Sequence, residues 1–510
     1  MSPATSMSIY PEHAAERDRW ILARRGARNQ LDPFKPHAFL VEEERAESGE
    51  IVSVATIFLT NRECPWRCLM CDLWKSTLTE TVPSGAIPAQ IDYALAELSK
   101  QRSAGFQPAS SGDIVVAGDC REQRESRDAP AVMPTRKMSL KRHSPSPRPS
   151  PPGEGAACAA RSPLPSARLK LPSMMPSLRQ IKLYNSGSFF DPRAVPPEDH
   201  EAIAQRAATF ERVIVECHPA LIGESALKFR DLLSATDANG VDLPPVRELS
   251  LKKRPPSPRG ENSPKQFSAP RALEPASRPL TPPLSPSEGE RVPEGRVRGK
   301  LQAQGEPDSP DQVSGPRVPL RRVYTSGGGH GHAATTRLEV AMGLETAHPQ
   351  VLEKLNKRMT LDQFRRAAEF LRENGIALRV FILVKPPFLD EAEALLWARR
   401  SIDFAFDCGA TVASLIPTRF GNGALETLAE HGEFSPAKLA TLEAALDYGV
   451  GLNRGRVFAD LWDLEKFSDC AECFERRRAR LREMNLEQVI LPEVDCGCCR
   501  GRRLDVSQGG

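Results

Sequence analysis

A chain of 510 residues has room for two or three domains, and its formal charge of +3 is too near balance to mark a general nucleic-acid or membrane binder. The opening MSPATSMSIYPEHAAERDRW has no apolar h-region, and runs such as LRVFILV are too short to span a bilayer. The expectation is a soluble cytoplasmic protein with no membrane partner. In that reducing compartment its twelve cysteines read as metal ligands or catalytic groups rather than disulfides.

In chain order, residues 1–50 form an N-terminal extension. IVSVATIFLT then reads as a buried strand over 51–59, and NRECPWRCLMCDLW follows it directly. That stretch places Cys64, Cys68 and Cys71 at a C-x3-C-x2-C spacing just past the strand end. Apolar residues recur at helical spacing over 87–98. The next strand–helix pairs are 180–185 with 197–210, 212–217 with 224–235, and 337–343 with 360–374, where Thr360 is the expected N-cap. Strand 377–384 is followed by a helix over 391–406, and 409–416 is the sixth strand. A further helix starts at FSPAKLATLEAAL, with Ser435 as N-cap and Pro436 at N1.

Two stretches, about 101–176 and 236–334, interrupt this order. They hold 29 of the 46 prolines, in Ser-Pro repeats such as SPSPRPSPPGEG and LTPPLSPSEGERVPEG. Too few apolar residues lie there to offset ordering entropy, so both read as disordered insertions in surface loops. Lengthening a loop costs little, and deleting both should leave a folded protein.

Six strand–helix units with apolar strands imply a parallel sheet covered by helices. The fold class is α/β, a partial (β/α)6 barrel over 51–430, followed by a small Cys-rich C-terminal metal-binding region over 431–510. Ligands in such folds bind at the carboxyl ends of the strands. The unusual motifs fall there: the three cysteines, NSGSFFD at 185–191, ECHP at 216–219, GLET at 343–346, KPPF at 385–388 and PTRFGNG at 417–423. Three thiolates are one short of a tetrahedral site. They can share zinc with a borrowed histidine, or hold three irons of a [4Fe–4S] cluster and leave the fourth open.

This triplet, after the first strand of a six-unit α/β barrel, resembles the radical S-adenosylmethionine (SAM) superfamily. The segments IKLYNSGSFFDP, GLETAHPQVLEKLNKRMTLDQF and FILVKPPFLDEAEAL are most similar to the group containing the archaeosine synthase radical SAM subunit and the Elongator catalytic subunit. The resemblance implies that Cys64, Cys68 and Cys71 ligate a [4Fe–4S] cluster whose open iron binds SAM. It implies reductive cleavage to a 5′-deoxyadenosyl radical, an electron donor of flavodoxin or ferredoxin type, and a tRNA or nucleobase substrate. Carried over by position, Ser186, Gly187 and Ser188 stand where the family's glycine-rich loop binds the SAM amino group. Ser188 and Phe189 replace its usual second Gly and Glu, and Met70 replaces a common aromatic. Glu216 and Glu345 are candidates for the SAM ribose or amino group and Lys385 for a carboxylate; each otherwise reads as a rim ion pair.

In the tail, Cys470, Cys473, Cys496, Cys498 and Cys499 resemble a split four-cysteine knuckle for zinc, with an auxiliary Fe–S cluster as the rival. One of Cys498 and Cys499 is then spare. Between the pairs, FERRRARLRE reads either as a solvated charged helix or as a phosphate-contacting face for RNA. Cys217 and Cys408 read as small buried hydrophobes, and His218 and His348 as structural. His330 and His332 lie at an insertion edge, and Cys120 and Cys158 in low-complexity sequence. Two other readings stay open: a non-catalytic, metal-stapled RNA-binding protein on a vestigial barrel, and a radical SAM enzyme acting on a peptide or small molecule.

Overall fold

Alternation of strand and helix builds one curled sheet with helices on its convex side. The computed structural model describes residues 8–103, 115–116, 178–238 and 335–499. They belong to one compact unit, Met1–Asp242 with His332–Gly510; the second unit, Leu243–Gly331, lies outside the described residues. So do most of the two Pro-rich insertions, with Cys120, Cys158, His330 and His332.

In chain order the elements are α1 (Ala14–Leu22), β1 (Ala38–Arg45), β2 (Ile51–Leu59), α2 (Ala86–Ser103), β3 (Val115–Val116), β4 (Leu178–Asn185), α3 (His200–Ala207), β5 (Arg212–Glu216), α4 (Glu224–Ala238), β6 (Arg337–Glu345), α5 (Pro349–Lys354), α6 (Leu361–Glu373), β7 (Ala377–Val384), α7 (Glu391–Asp407), β8 (Val412–Pro417), α8 (Ala424–Glu430), α9 (Leu439–Gly451), β9 (Arg456–Ala459) and α10 (Ala471–Glu487). The sheet order is β3-β1-β2-β4-β5-β6-β7-β8-β9. From β2 to β9 every pairing is parallel, while β1 runs antiparallel to β2 and β3. The six expected strands are therefore present. Three additions were not foreseen: β9 extends the parallel run, β1, inside the N-terminal extension, pairs with β2 along its whole length, and β3, within the stretch expected to be a disordered insertion, pairs antiparallel with β1 at Ala38 and Phe39.

Local signals set several boundaries. Thr360 caps α6 as expected, and its capping box with Gln363 satisfies two end donors at once. Ser435 does not cap α9, whose N-cap is Lys438. The Ser435 hydroxyl and carbonyl instead accept hydrogen bonds from the Lys385 ammonium, at 2.6 Å each. That contact draws the chain away from a helical start.

The convex face is the apolar core: Ile57, Ile181, Val213 and Val380 meet helix residues such as Ile91 and Phe364. The concave face departs from the expectation of continuously apolar strands, because alternate positions carry charge. The Glu44 carboxylate lies 2.6 Å from both Lys182 Nζ and Arg379 Nη2. Glu339 lies 2.7 Å from Arg379 Nε and 2.9 Å from Arg212 Nη1. All five are buried. Burial alone would raise the Glu44 carboxyl, but Arg379 and Lys182 outweigh it and hold it well below the carboxylate range. This ion lattice fills the lower lumen, so usable space lies above it, toward the strand ends.

Among the described residues no helix is long and apolar enough to cross a membrane.

Candidate cluster site at the strand ends

β2 is buried almost throughout, and its emergence from the sheet delivers the cysteine loop to the upper end of the lumen. Neighbouring strand-end loops then grip that loop by its backbone. Leu69 N donates to Leu355 O at 2.9 Å, Asn356 Nδ2 to Arg67 O at 2.8 Å, and Asn422 Nδ2 to Leu69 O at 2.5 Å. Glu63, beside the first cysteine, takes Arg25 at 2.6 Å, Arg67 at 3.0 Å and also Arg28. Burial pushes the Glu63 carboxyl up, yet the Arg28 and Arg25 hydrogen bonds prevail and lower it. The N-terminal segment thus braces the loop, a role its sequence did not signal.

The Ser186–Ser188 turn reaches the same place. Gly187 has φ +149°, and a Cβ built on it would stand 2.7 Å from Cys64 Cβ. Only glycine permits both that backbone and that approach. Ser188 Oγ is occupied as the acceptor for His218 N at 2.9 Å. The His218 ring stacks on Trp66 with centroids 3.7 Å apart and planes 11° apart. Its Nδ1 accepts from Ala220 N, which leaves Nε2 to donate to Lys357 O at 3.0 Å. Burial, then Lys357, lowers its pKa to about 3, so the ring is a neutral platform, as its structural reading required.

Glu345 ends β6 at φ +66°, and its Oε1 lies 2.6 Å from Lys357 Nζ. Gly343 makes room for this pair: a Cβ there would fall 2.2 Å from the carboxylate oxygen and 2.5 Å from the ammonium. Burial works against the Lys357 charge, but Glu345 and Cys68 more than restore it. Lys357 was missed from sequence. Its neighbours Asn356 and Arg358 both adopt left-handed backbone, at φ 58° and 60°, a feature visible only in the structure. Glu216 joins this group electrostatically, with Lys357 lowering and Glu345 raising its carboxyl. Among the described residues its carboxylate makes no hydrogen bond, and burial lifts it to about 8. Lys385, at φ +55°, is not brought here; Ser435 holds it.

The residues present fit an Fe–S cluster with a bound cofactor. Burial pushes the Cys68 thiol up to about 12 and raises Cys64 and Cys71 as well, so metal loading has to expel protons. Among the described residues, buried polar atoms around the loop that make no hydrogen bond are both amide atoms of Asn185, Thr60 Oγ1, Asn61 Oδ1 and Asn356 Oδ1. Buried polar atoms in native proteins nearly always have partners, and these are compatible with a polar ligand.

In the tail, the ligand atoms of Cys470, Cys473, Cys496 and Cys499 all lie within 4.8 Å of one another. Cys470 and Cys496 are separated by 3.9 Å between sulfurs, and Cys473 and Cys499 by 3.7 Å. Cys498 lies outside that group of four, exposed and 3.1 Å from Glu472, and forms a second close group with Glu472 and Cys496. The arginines between the pairs are not a free basic face. Arg477 forms a two-pronged pair with Glu443, and Arg480 bonds Asp447 and the Leu491 carbonyl. Arg476, Arg478 and Arg482 meet Asp495 O, Glu475 and Glu43.

Comparison with known proteins gives the following. No known family model matches the chain. It is 29% identical over 178 residues to archaeosine synthase subunit beta of Methanosarcina acetivorans, covering 31% of this chain and 48% of that protein. It is 40% identical over 65 residues to archaeosine synthase subunit beta of Thermococcus kodakarensis, covering 12% and 20%. The chain therefore spans less than half the length of these relatives. Solved structures with some likeness are the radical SAM methyltransferase TsrM of Kitasatospora setae (12% identity, 74% of this chain and 39% of that one, TM-score 0.30) and Elp3 of Methanocaldococcus infernus (9%, 60% and 55%, TM-score 0.30). Superpositions that loose carry no argument. Over the matched segments the similarity is to archaeosine synthase beta subunits, in a chain whose cysteine loop follows a strand of a parallel sheet.

Proposed function

We propose that the chain is a radical SAM enzyme in which Cys64, Cys68 and Cys71 hold three irons of a [4Fe–4S] cluster, and which modifies a nucleobase of tRNA or a related heterocycle. The observation that carries this reading is the approach of Gly187 to Cys64, which sets a glycine turn against a three-thiol loop at the strand ends. When bound, the reduced cluster supplies the electron that cleaves SAM to methionine and a 5′-deoxyadenosyl radical, the hydrogen-abstracting species. The protein's own groups bind and orient. The turn at Ser186–Ser188 offers backbone groups beside Cys64, and Asn185 offers an unpaired amide. The Lys357 ammonium, fixed by Glu345, balances thiolate charge at Cys68. The Trp66–His218 stack packs the cysteine loop against the end of the β5 strand.

The tRNA and partner-subunit parts of the reading draw support from the relatives' name, a subunit of archaeosine synthase. The electron donor belongs to it by chemical necessity. In the tail we infer one four-coordinate ion, zinc by preference. A Zn–S bond of about 2.3 Å implies tetrahedral sulfur separations of roughly 3.8 Å; the Cys470–Cys496 and Cys473–Cys499 separations lie within 0.1 Å of that on either side, and all four sulfurs lie within 4.8 Å of one another. Ligands on separate irons of a cluster stand farther apart.

The test is anaerobic. The protein is reconstituted with iron and sulfide, reduced and given SAM, beside a Cys64/Cys68/Cys71→Ala control. 5′-Deoxyadenosine from the wild type alone supports the proposal. An intact cluster with no product overturns it.

A further inference from the structure

Among the described residues β9 is the last strand of the sheet, paired on one side with β8. Arg456 N and Asp460 N point toward β8 and donate to Thr411 O and Leu415 O. The backbone groups of Val457 and Ala459 therefore face the other way. Such an edge ordinarily pairs with another strand or with water. Here α10 takes it. Asn485 Oδ1 accepts from Ala459 N and Asn485 Nδ2 donates to Ala459 O, both at 2.8 Å. Gln488, at the C-terminal cap of α10, does the same at Val457, at 2.7 and 2.9 Å. Each side-chain amide reproduces the donor and the acceptor that a neighbouring strand would present.

α10 also meets β1, which does not pair with β9. Arg45 Nη1 donates to Leu486 O at 3.0 Å, and Arg482 lies 3.1 Å from Glu43. Arg456 Nη1 crosses directly from β9 to the Arg45 carbonyl at 2.9 Å. The helix thus fills the seam between the two strands.

Apolar packing is a thin hold on this helix. Four of its seventeen residues are buried: Cys473, Arg480, Leu481 and Met484. Helices in proteins take most of their stability from a packed apolar face, and here that face is two side chains. The other hold is at the start. Cys470 is the N-cap and Cys473 lies in the first turn. Cys496 and Cys499 arrive on the segment that doubles back along α10, where Arg480 bonds the Leu491 and Pro492 carbonyls and Arg476 that of Asp495.

We propose that the tail ion is the clasp of the half-barrel. By joining Cys470 and Cys473 to Cys496 and Cys499 it fixes α10 in the seam, where Asn485 and Gln488 take the place of a further strand on β9. The inference rests on the tail ion inferred above and not on the radical chemistry. It gives that ion a duty toward the sheet, distinct from electron relay and from RNA contact.

The experiment is hydrogen exchange, resolved to single residues, on the full-length Cys64/Cys68/Cys71→Ala protein, so that added zinc reports on the tail. Exchange is compared with zinc bound and after its removal by a chelator, with metal analysis of both samples. Removal should speed exchange at Val457 and Ala459 about tenfold or more, as for local opening of one element, while Val213 and Val380 in mid-sheet keep their rates. Asn485→Ala/Gln488→Ala in the same protein should bind zinc equally yet exchange fast at Val457 and Ala459 with the ion in place. Should that variant fail to fold, the chelator comparison still decides. Bound zinc whose removal leaves Val457 and Ala459 unchanged overturns the proposal and leaves the tail ion standing. Faster exchange across the whole sheet also overturns it, because the ion would then serve the entire fold rather than the seam. Absence of bound zinc overturns the tail ion and the clasp together.

Discussion

A single methyl group at position 187 would meet Cys64 Cβ at 2.7 Å, on backbone that side chains rarely adopt. The neighbour is a backbone-anchored Cβ rather than a flexible tip, so the cysteine loop has to shift. Gly187→Ala should therefore lose most of its iron on reconstitution while its far-UV circular dichroism is unchanged; full iron content would show that the turn does not shape the site. Glu216 gives a pH prediction. Burial raises its carboxyl from 4.5 to about 8. Between those values the folded chain keeps a proton that the unfolded chain releases, so this group's contribution to stability falls as pH rises. Glu216→Gln should have a higher urea midpoint than wild type at pH 8, and the two should converge below pH 4.5. Parallel midpoints across that range would refute the raised carboxyl. At this scale the cysteines and Gly187 were legible in sequence because chemistry restricts those positions to few residue types. Lys357 was not, because a lysine on a loop announces neither its burial nor the carboxylate that keeps it charged.

Among elements, α6 was legible down to its cap, since Thr360 and Gln363 satisfy each other locally. The start of α9 was not, because a remote residue, Lys385, engages Ser435. The tail shows the same division. From spacing, one of two adjacent thiols is expected to be spare, and the close group of four sulfurs takes in Cys499 and leaves out Cys498. Metal analysis of Cys498→Ser should give the same tail metal content as wild type, whereas Cys473→Ser should lose it and melt earlier, because metal binding at such sites is folding free energy. Equal loss in both variants would mean a different ligand set. The arginine run, read from sequence as spread around a helix, is divided by packing. Arg477 and Arg480 tie α10 to Glu443 and Asp447 on α9, so a charge-removal test of RNA binding belongs at Arg476, Arg478 and Arg482.

Across the whole molecule, the ion lattice joins β1, β4, β5, β6 and β7 through side chains that are far apart in sequence. Glu339 is fully buried between Arg212 and Arg379. Removing it takes one carboxylate from each of two buried guanidiniums, leaving Arg379 with Glu44 and Arg212 with Glu47, and breaking a buried pair from one side costs about 3–5 kcal/mol. Glu339→Ala should lower the urea-derived stability by that order, and a change within about 0.5 kcal/mol, as for ordinary surface positions, would mean that solvent reaches the lattice.

The sequence by itself determined the order of strands and helices, the parallel sheet and the cysteine loop past the first of its parallel strands. Each of these follows from local periodicity or from a motif whose chemistry tolerates few substitutes. Only the tertiary structure decided what faces the lumen: the lattice below and the Glu345–Lys357 pair above. A strand's sequence gives the alternation of its faces. Which charges on different strands meet depends on register and curl, and those form only when all the strands are in place.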